Sequence, residues 1–527
     1  MATSTAPPAD VTKSVQRRRL QLGKTAVVVL VAVAALFIAA LVLWSRWWPF
    51  EQQHVIQTLE QASDSQVQIR GFHKTYFPSP GCVLDAVVFT RGHDPKPLIS
   101  VEKLIIRSTY SGMLAHHISR IVADGMHVYI PRTSTGEPFH ARRSTMLIGE
   151  IIANGSTLEL ERHGDKPPLR FEIHQLSLRN VGAQGSLTYK LSLHNPTPPA
   201  EITATGKFGA WNERDPAQTF VSGEYKFEHA DLSVFHGIAG TLSSAGKFDG
   251  KLGHIDVSGI TDTPDFEVKT GGHPVQLITE FSAYVDGTNG DTFLKRVDAH
   301  FAKTHIVADG SIAKSANGKG KTALINISAK EGRIDDVLAL FVKEKRPSMS
   351  GIVTLHAKVE IPPGKRRFLE KIIVHGNFGV GAGEFSNPAT QESVNKLSAG
   401  ARGEEHPVDP ETVLTDLTGQ VVMENGIANL SDLSFGVPGA SSRMGGTYNL
   451  IDHKIDLRGQ MQVDSKLSNS TSGVKSLLLK VMHPFFKKRN KAELLPVRIS
   501  GTYEKPSFGL DLNDKKAQEV GLPPQTR

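Results

Sequence analysis

Apolar and polar residues alternate one by one through long parts of this chain. In Ser186–His194, Leu187, Tyr189, Leu191 and Leu193 are interleaved with Thr188, Lys190 and Ser192. The same period of two recurs in Ile455, Leu457, Met461 and Val463 against Asp456, Arg458, Gln460 and Gln462. It recurs again in Val497, Ile499 and Tyr503, and then in Phe508, Leu510 and Leu512. Such alternation predicts strands with one dry and one wet face. Short turn signals separate the runs: Glu424-Asn425-Gly426, Asp452-His453-Lys454 and the stretch 286–291. A loose idiom, Gly followed two residues later by an aromatic, opens several runs: Gly206-Lys-Phe208, Gly223-Glu-Tyr225, Gly246-Lys-Phe248, Gly446-Thr-Tyr448 and Gly501-Thr-Tyr503. Its spacing is irregular, which excludes a fixed-period solenoid. The expected fold is mostly β: an extended, curved antiparallel sheet forming an apolar groove, with a few short amphipathic helices. Helical spacing is confined to Glu51–Gln66, Arg333–Lys343, Pro388–Ser398 and Gly473–His483.

One run differs from all others. Thr25–Trp44 is twenty residues without a charge, long enough at about 1.5 Å per residue to cross a bilayer core as a helix. A cleaved signal peptide has a shorter apolar region ending in small residues. Here the run ends in Trp44, Ser45, Arg46, Trp47 and Trp48, aromatics suited to a membrane interface. Five cations precede the run and only Arg46 follows it closely. The expectation is a single-pass anchor with residues 1–24 cytoplasmic and the bulk of the chain exported.

The 527 residues carry a formal +7, which raises the question of a nucleic-acid partner. Its distribution removes that reading. Lys13, Arg17, Arg18, Arg19, Lys24 and Arg46 against Asp10 give the first 48 residues +5. Six more cations, Lys475, Lys480, Lys487, Lys488, Arg489 and Lys491, fall within Gly473–Lys491 with no acid among them, so the remainder is slightly acidic. With Phe485 and Phe486 alongside, this stretch suits an anionic membrane surface. It equally suits a helix that packs its apolar side on the sheet end and solvates its lysines. The single cysteine, Cys82, excludes a disulfide scaffold and reads as a small buried side chain.

Catalytic and metal-binding motifs are missing. Ser315–Thr322 approaches a phosphate loop, but Ser315 replaces the first glycine and a strand pattern follows. Asp286, Asn289 and Asp291 offer oxygen ligands, but Gly290 stands where a calcium loop needs one. The pair His116-His117 has no partner at metal-ligand spacing, and Ser472-Gly-Val-Lys475 lacks companion motifs. No catalytic residue, metal or cofactor is expected.

The order of several phrases resembles the bacterial AsmA-like family. They are Val67–Phe72, Leu98–Ile106 and Ile121–Arg132 near the start, then Val285–Thr292, Ile361–Gly364, Val421–Gly426, Leu433–Gly439, Pro484–Lys488 and Ile499–Pro506. The resemblance implies an inner-membrane-anchored periplasmic β-groove related to TamB-type proteins, acting in outer-membrane biogenesis and phospholipid movement between the two membranes. It divides the exported part into β regions at 49–200, 201–400 and 401–527. Acyl chains would lie on inward side chains such as Leu187, Tyr189, Leu191, Leu193, Leu457, Met461 and Val463. About 25–30 strands at roughly 4.8 Å each give a groove of about 120–145 Å. That falls short of a Gram-negative envelope and implies a periplasmic or outer-membrane partner, an oligomer or a shuttle. The alternative is an assembly factor that uses strand edges to assist outer-membrane protein insertion.

Overall fold

The computed structural model describes residues 48–90, 96–115, 117–130, 147–161, 167–182, 185–212, 215–235, 237–269, 272–315, 320–341, 347, 349–364, 366–386, 415–437, 440–463, 494–502 and 505–511. They form one 25-stranded sheet, curved and unclosed. Most strands pair with their sequence neighbours in a meander that runs from Gln66–Gln68 and Gly71–Thr75, both on the outer side of Gly81–Thr90, to Lys505–Leu510 at the other edge. The ladder continues through the expected divisions near 200 and 400. Pro199–Phe208 is paired on both sides, and Ile373–Phe385 pairs with Thr415–Glu424.

The sheet departs from the all-antiparallel expectation at one place. His117–Ile130 and Leu147–Leu160 run parallel, Ile121 opposite Ile151 and Val128 opposite Leu158. Parallel neighbours need a connection of a dozen or more residues. The intervening 131–146 has the required length, but its composition does not announce a crossover.

Helices are few and lie at the margins. Gln52–Ser63 matches the expected helix and buries Val55, with Ile56 and Leu59 against the same cluster. Ile334–Ala339 falls within the expected 333–343, whereas Tyr110–Leu114 and Phe368–Lys371 have no signal in the periodicity. The helices expected at 388–398 and 473–483 and the apolar run 25–44 lie outside the described residues. No helix among the described residues is long and apolar enough to cross a membrane.

The curl brings together the margins of strands that are far apart in the ladder. Gly237 sits so close to Phe368 that an added methyl would lie 2.2 Å from its Cβ. Gly272 is similarly close to Leu340, and between successive connections on one rim the Lys303 amide donates to Asp336 Oδ2 at 2.9 Å.

The principal core lies at the N-terminal end. Trp48, Phe50 and Val55 close over Val67, Cys82, Leu84, Val87, Val101, Leu104 and Ile106. Trp48 is only 2% exposed, its ring 4.8 Å from that of Tyr76 and 6.2 Å from that of Phe50. This corrects the expectation that Trp48 joins an interfacial belt: the chain folds back on the sheet and the indole fills the core. Cys82 is fully buried, and burial pushes its thiol up to about 12. A smaller cluster, Leu433, Met444 and Leu457, lies near the other end.

Candidate functional site

Residues that face each other across a ladder point to the same side of the sheet, so the register traces each face from strand to strand. From Leu84, one row passes through Leu104, Ala123, Ala153, Leu176 and Leu191. It continues through Ala204, Tyr225, Gly246, Gly259, Phe281 and Val297. Ala308, Ile327, Ala357, Gly376 and Val421 follow. The row ends on Leu430, Gly446, Leu457 and Ile499. At roughly 4.8 Å per strand it covers about 100 Å of sheet. The Tyr225 phenol is its only polar side-chain group.

Moving one residue along each strand reverses the chemistry. The neighbouring row reads Ser177, Lys190, Thr205, Glu224, Lys247, Ser258, Ser282 and Arg296. Lys247 pairs with Glu224 at 3.0 Å, and both side chains are well exposed.

Leu191 and Leu457, far apart in sequence, thus belong to one row. Leu187, Tyr189 and Leu193 share their face, opposite Phe208, Leu178 and Ile202. Met461 stands opposite the buried Ser442, and the backbone of Val463 pairs with Ala440. The candidates Lys475, Lys480, Phe485, Phe486, Lys487, Lys488, Arg489 and Lys491 lie outside the described residues.

Cover divides this face. Leu84, Leu104, Ala123 and Ala153 are buried, but every member from Leu176 to Gly446 is half-buried. Leu457 is again buried, at 8% exposure, within the C-terminal cluster. Along Thr241–Lys251 exposure alternates strictly, with Leu242, Phe248 and their companions half-buried and Lys247 and Asp249 exposed. The row through the long middle is therefore neither core nor fully open surface, while to one side of it, on the same face, Ala283, Ala329, Val353 and Val380 are buried.

The glycine idiom explains how the middle is built. Gly206 faces Gly223, and Gly246 faces Gly259. A methyl on Gly206 or Gly223 would lie 2.8 or 2.7 Å from Tyr189 Oη, and one on Gly246 or Gly259 would lie 2.8 Å from Tyr225 Oη. Each tyrosine is laid across a glycine pair instead of standing up from the sheet. Partial burial raises the Tyr189 phenol above its ordinary value. Tyr225, Phe248, Phe281 and Val297 were absent from the sequence candidates. For Tyr225 and Phe248 the signal was present, because a glycine and an aromatic two residues apart share a face.

Features with other chemical possibilities resolve into structure. Asp286 Oδ1 accepts from the Thr288 amide at 2.9 Å and Oδ2 from Asn289 Nδ2 at 2.8 Å, so its oxygens serve the turn. The Thr288 hydroxyl, which also donates to Oδ1, contributes most to holding its carboxyl below the usual range, followed by the Thr288 amide. Lys321 begins a strand, and its Nζ pairs with Asp291 at 3.1 Å. No group of three or more metal-capable side chains occurs among the described residues. A shallow concavity of about 740 Å³ on the polar face is lined by Asp309, Asn326, His356, Lys358, His375 and their neighbours. There Asn326 Nδ2 donates to Asp309 Oδ1 at 2.7 Å.

Compared with known proteins, the chain matches no family model, no curated protein and no solved structure.

Proposed function

We propose that this chain is a non-catalytic, AsmA-like membrane protein that binds the acyl chains of lipids along the apolar face of its sheet. Residues 25–44 anchor it in the bacterial inner membrane, and the sheet stands in the periplasm. The observation that carries the reading is the apolar row from Leu84 to Ile499, left half-covered over its long middle. Contiguous apolar surface of this extent is uncommon on a soluble monomer and marks an interaction site. Covering it with hydrocarbon gains about 0.8 kcal/mol per CH₂. The row has almost no polar group to select a head group, so binding is expected to be broad, with head groups facing water. A linear apolar face of this kind suits movement of phospholipid between inner and outer membranes. At about 100 Å it requires a partner at the far membrane or a second copy.

The edge-pairing alternative has less support. Among the described residues, unpaired ladder edges fall chiefly at the ends of the meander, and the last described strand, Lys505–Leu510, is six residues long and contains Pro506.

Native mass spectrometry of the detergent-extracted full chain tests the reading. Co-purifying phospholipid is expected, with occupancy sharply reduced by Leu191→Arg. A folded, lipid-free wild type would sink it. Leu457→Arg is a poorer probe, because Leu457 is buried and its substitution reports on folding.

A further inference from the structure

The start of the sheet presents a second apolar feature, away from the long face. The loop 76–80 and the helix Tyr110–Leu114 lie at the same end of their strands, because Gly81 pairs with Arg107. The Ser108 amide donates to the Pro80 carbonyl at 2.8 Å, tying them together. The parallel pairing of His117 with Leu147 brings the start of the next strand to the same rim. Four large apolar or aromatic side chains are exposed there: Phe77 at 88%, and Tyr76, Tyr110 and Leu147 at 43–49%. Tyr110 Oη donates to the Tyr76 carbonyl at 2.5 Å. Ile130, also exposed, lies at the opposite end of its strand.

Chain connectivity identifies what faces this rim. Tyr76 packs on Trp48, and the uncharged run 25–44 ends only four residues before Trp48. A membrane entered by that run lies within a few residues of extended chain, roughly 3.3–3.6 Å each, of the rim. Aromatic rings with one apolar and one polar end are favoured at the interfacial layer of a bilayer.

We infer that the rim formed by Tyr76, Phe77, Tyr110 and Leu147 seats in the interfacial layer of the membrane that holds the anchor. The inference rests on the anchoring proposed above. Trp48 supplies the internal post behind Tyr76, and the exposed rim takes the interfacial position. Seating would fix the start of the sheet against the bilayer and hold the first uncovered strands of the apolar face close to the lipid supply.

The test uses the full chain reconstituted in vesicles of phosphatidylethanolamine and phosphatidylglycerol. Phe77→Cys, Tyr110→Cys and Ile130→Cys are labelled singly with nitrobenzoxadiazole; the buried Cys82 thiol is shielded from the reagent. Vesicle flotation is scored first, then quenching of the probe by nitroxide-bearing lipids. The expected result is flotation of all three, severalfold stronger quenching at 77 and 110 than at 130, and blue-shifted emission at 77. Flotation with equal quenching at all three positions overturns the seating and leaves the anchor standing. Failure to float overturns both.

Discussion

The apolar face has two regimes. Between Gly81–Thr90 and His117–Ile130 it is a core: Leu84 and Val87 are fully buried under Trp48, Phe50 and the helix Gln52–Ser63. Between Leu187–Pro196 and Met349–Ile361 the central row of the same face is half-buried, and so are Tyr225, Phe248 and Phe281, while Ala283, Ala329 and Val353 to one side of it are buried. Strand pairing is continuous in both, with register shifts in the second at places such as Phe227/Ala230 and Leu294/Val297. What differs is cover, which at the N-terminal end comes from one short helix and from Trp48 and Phe50 just before it. Strand pairing alone does not set how much of a face is covered.

The largest effect that tests this contrast is at the covered end. Leu84→Ala is expected to cost about 2–5 kcal/mol, the range for a large-to-small change in a closed core, measured by urea denaturation. Phe248→Arg, in the half-covered stretch, is expected to cost no more than about 1 kcal/mol, as for substitutions outside a closed core. It should nevertheless lower phospholipid occupancy severalfold. Equal destabilisation by the two changes would erase the distinction between the regimes.

The smallest effect lies on the polar face. Asp298 accepts from Arg296 Nε at 2.6 Å and Nη2 at 2.7 Å and pairs with His305 Nε2 at 3.0 Å. Its carboxyl is held down to about 2, chiefly by the hydrogen bonds from Arg296. A folded-state value below the unfolded one means that the contribution is fully present above about pH 3.9, the ordinary aspartate value. It is lost as pH falls through about 2. The pair is exposed, so the effect is small and screened by salt. Thermal melts of wild type and Asp298→Asn should differ slightly near neutrality and converge at low pH, with lipid occupancy unchanged by the substitution.

Face membership was legible where the period of two is unbroken. Leu187, Tyr189, Leu191, Leu193 and Leu457 all fall on the apolar side, because each strand of a meander inherits its neighbour's phase through the register. Near the N-terminal core the period slips. Ala86, Gly125 and Gly155 have positive φ in neighbouring strands, and Leu84 and Val87, three residues apart, join the same core. Strict alternation cannot detect that phase change, which depends on a left-handed residue within a strand. The parallel pairing after His117–Ile130 was hidden for a related reason: strand direction is set by a connection whose composition carries no directional signal. Its distance from residue 44 suits Trp48 to a membrane interface. Its burial against Phe50 and Tyr76 is a tertiary fact with no local pattern.

The central claim, that lipid lies on one face and not the other, is tested most directly by adjacent positions on a single strand. A photo-crosslinking residue is placed at Phe281, on the apolar face, and separately at Ser282, on the polar face, in the membrane-bound full chain. Phospholipid adducts are then identified by mass spectrometry. The account predicts adducts at 281 and none at 282, with the same alternation at Leu191 and Ser192. Equal adducts at both positions, or none at either in a folded protein, would contradict it.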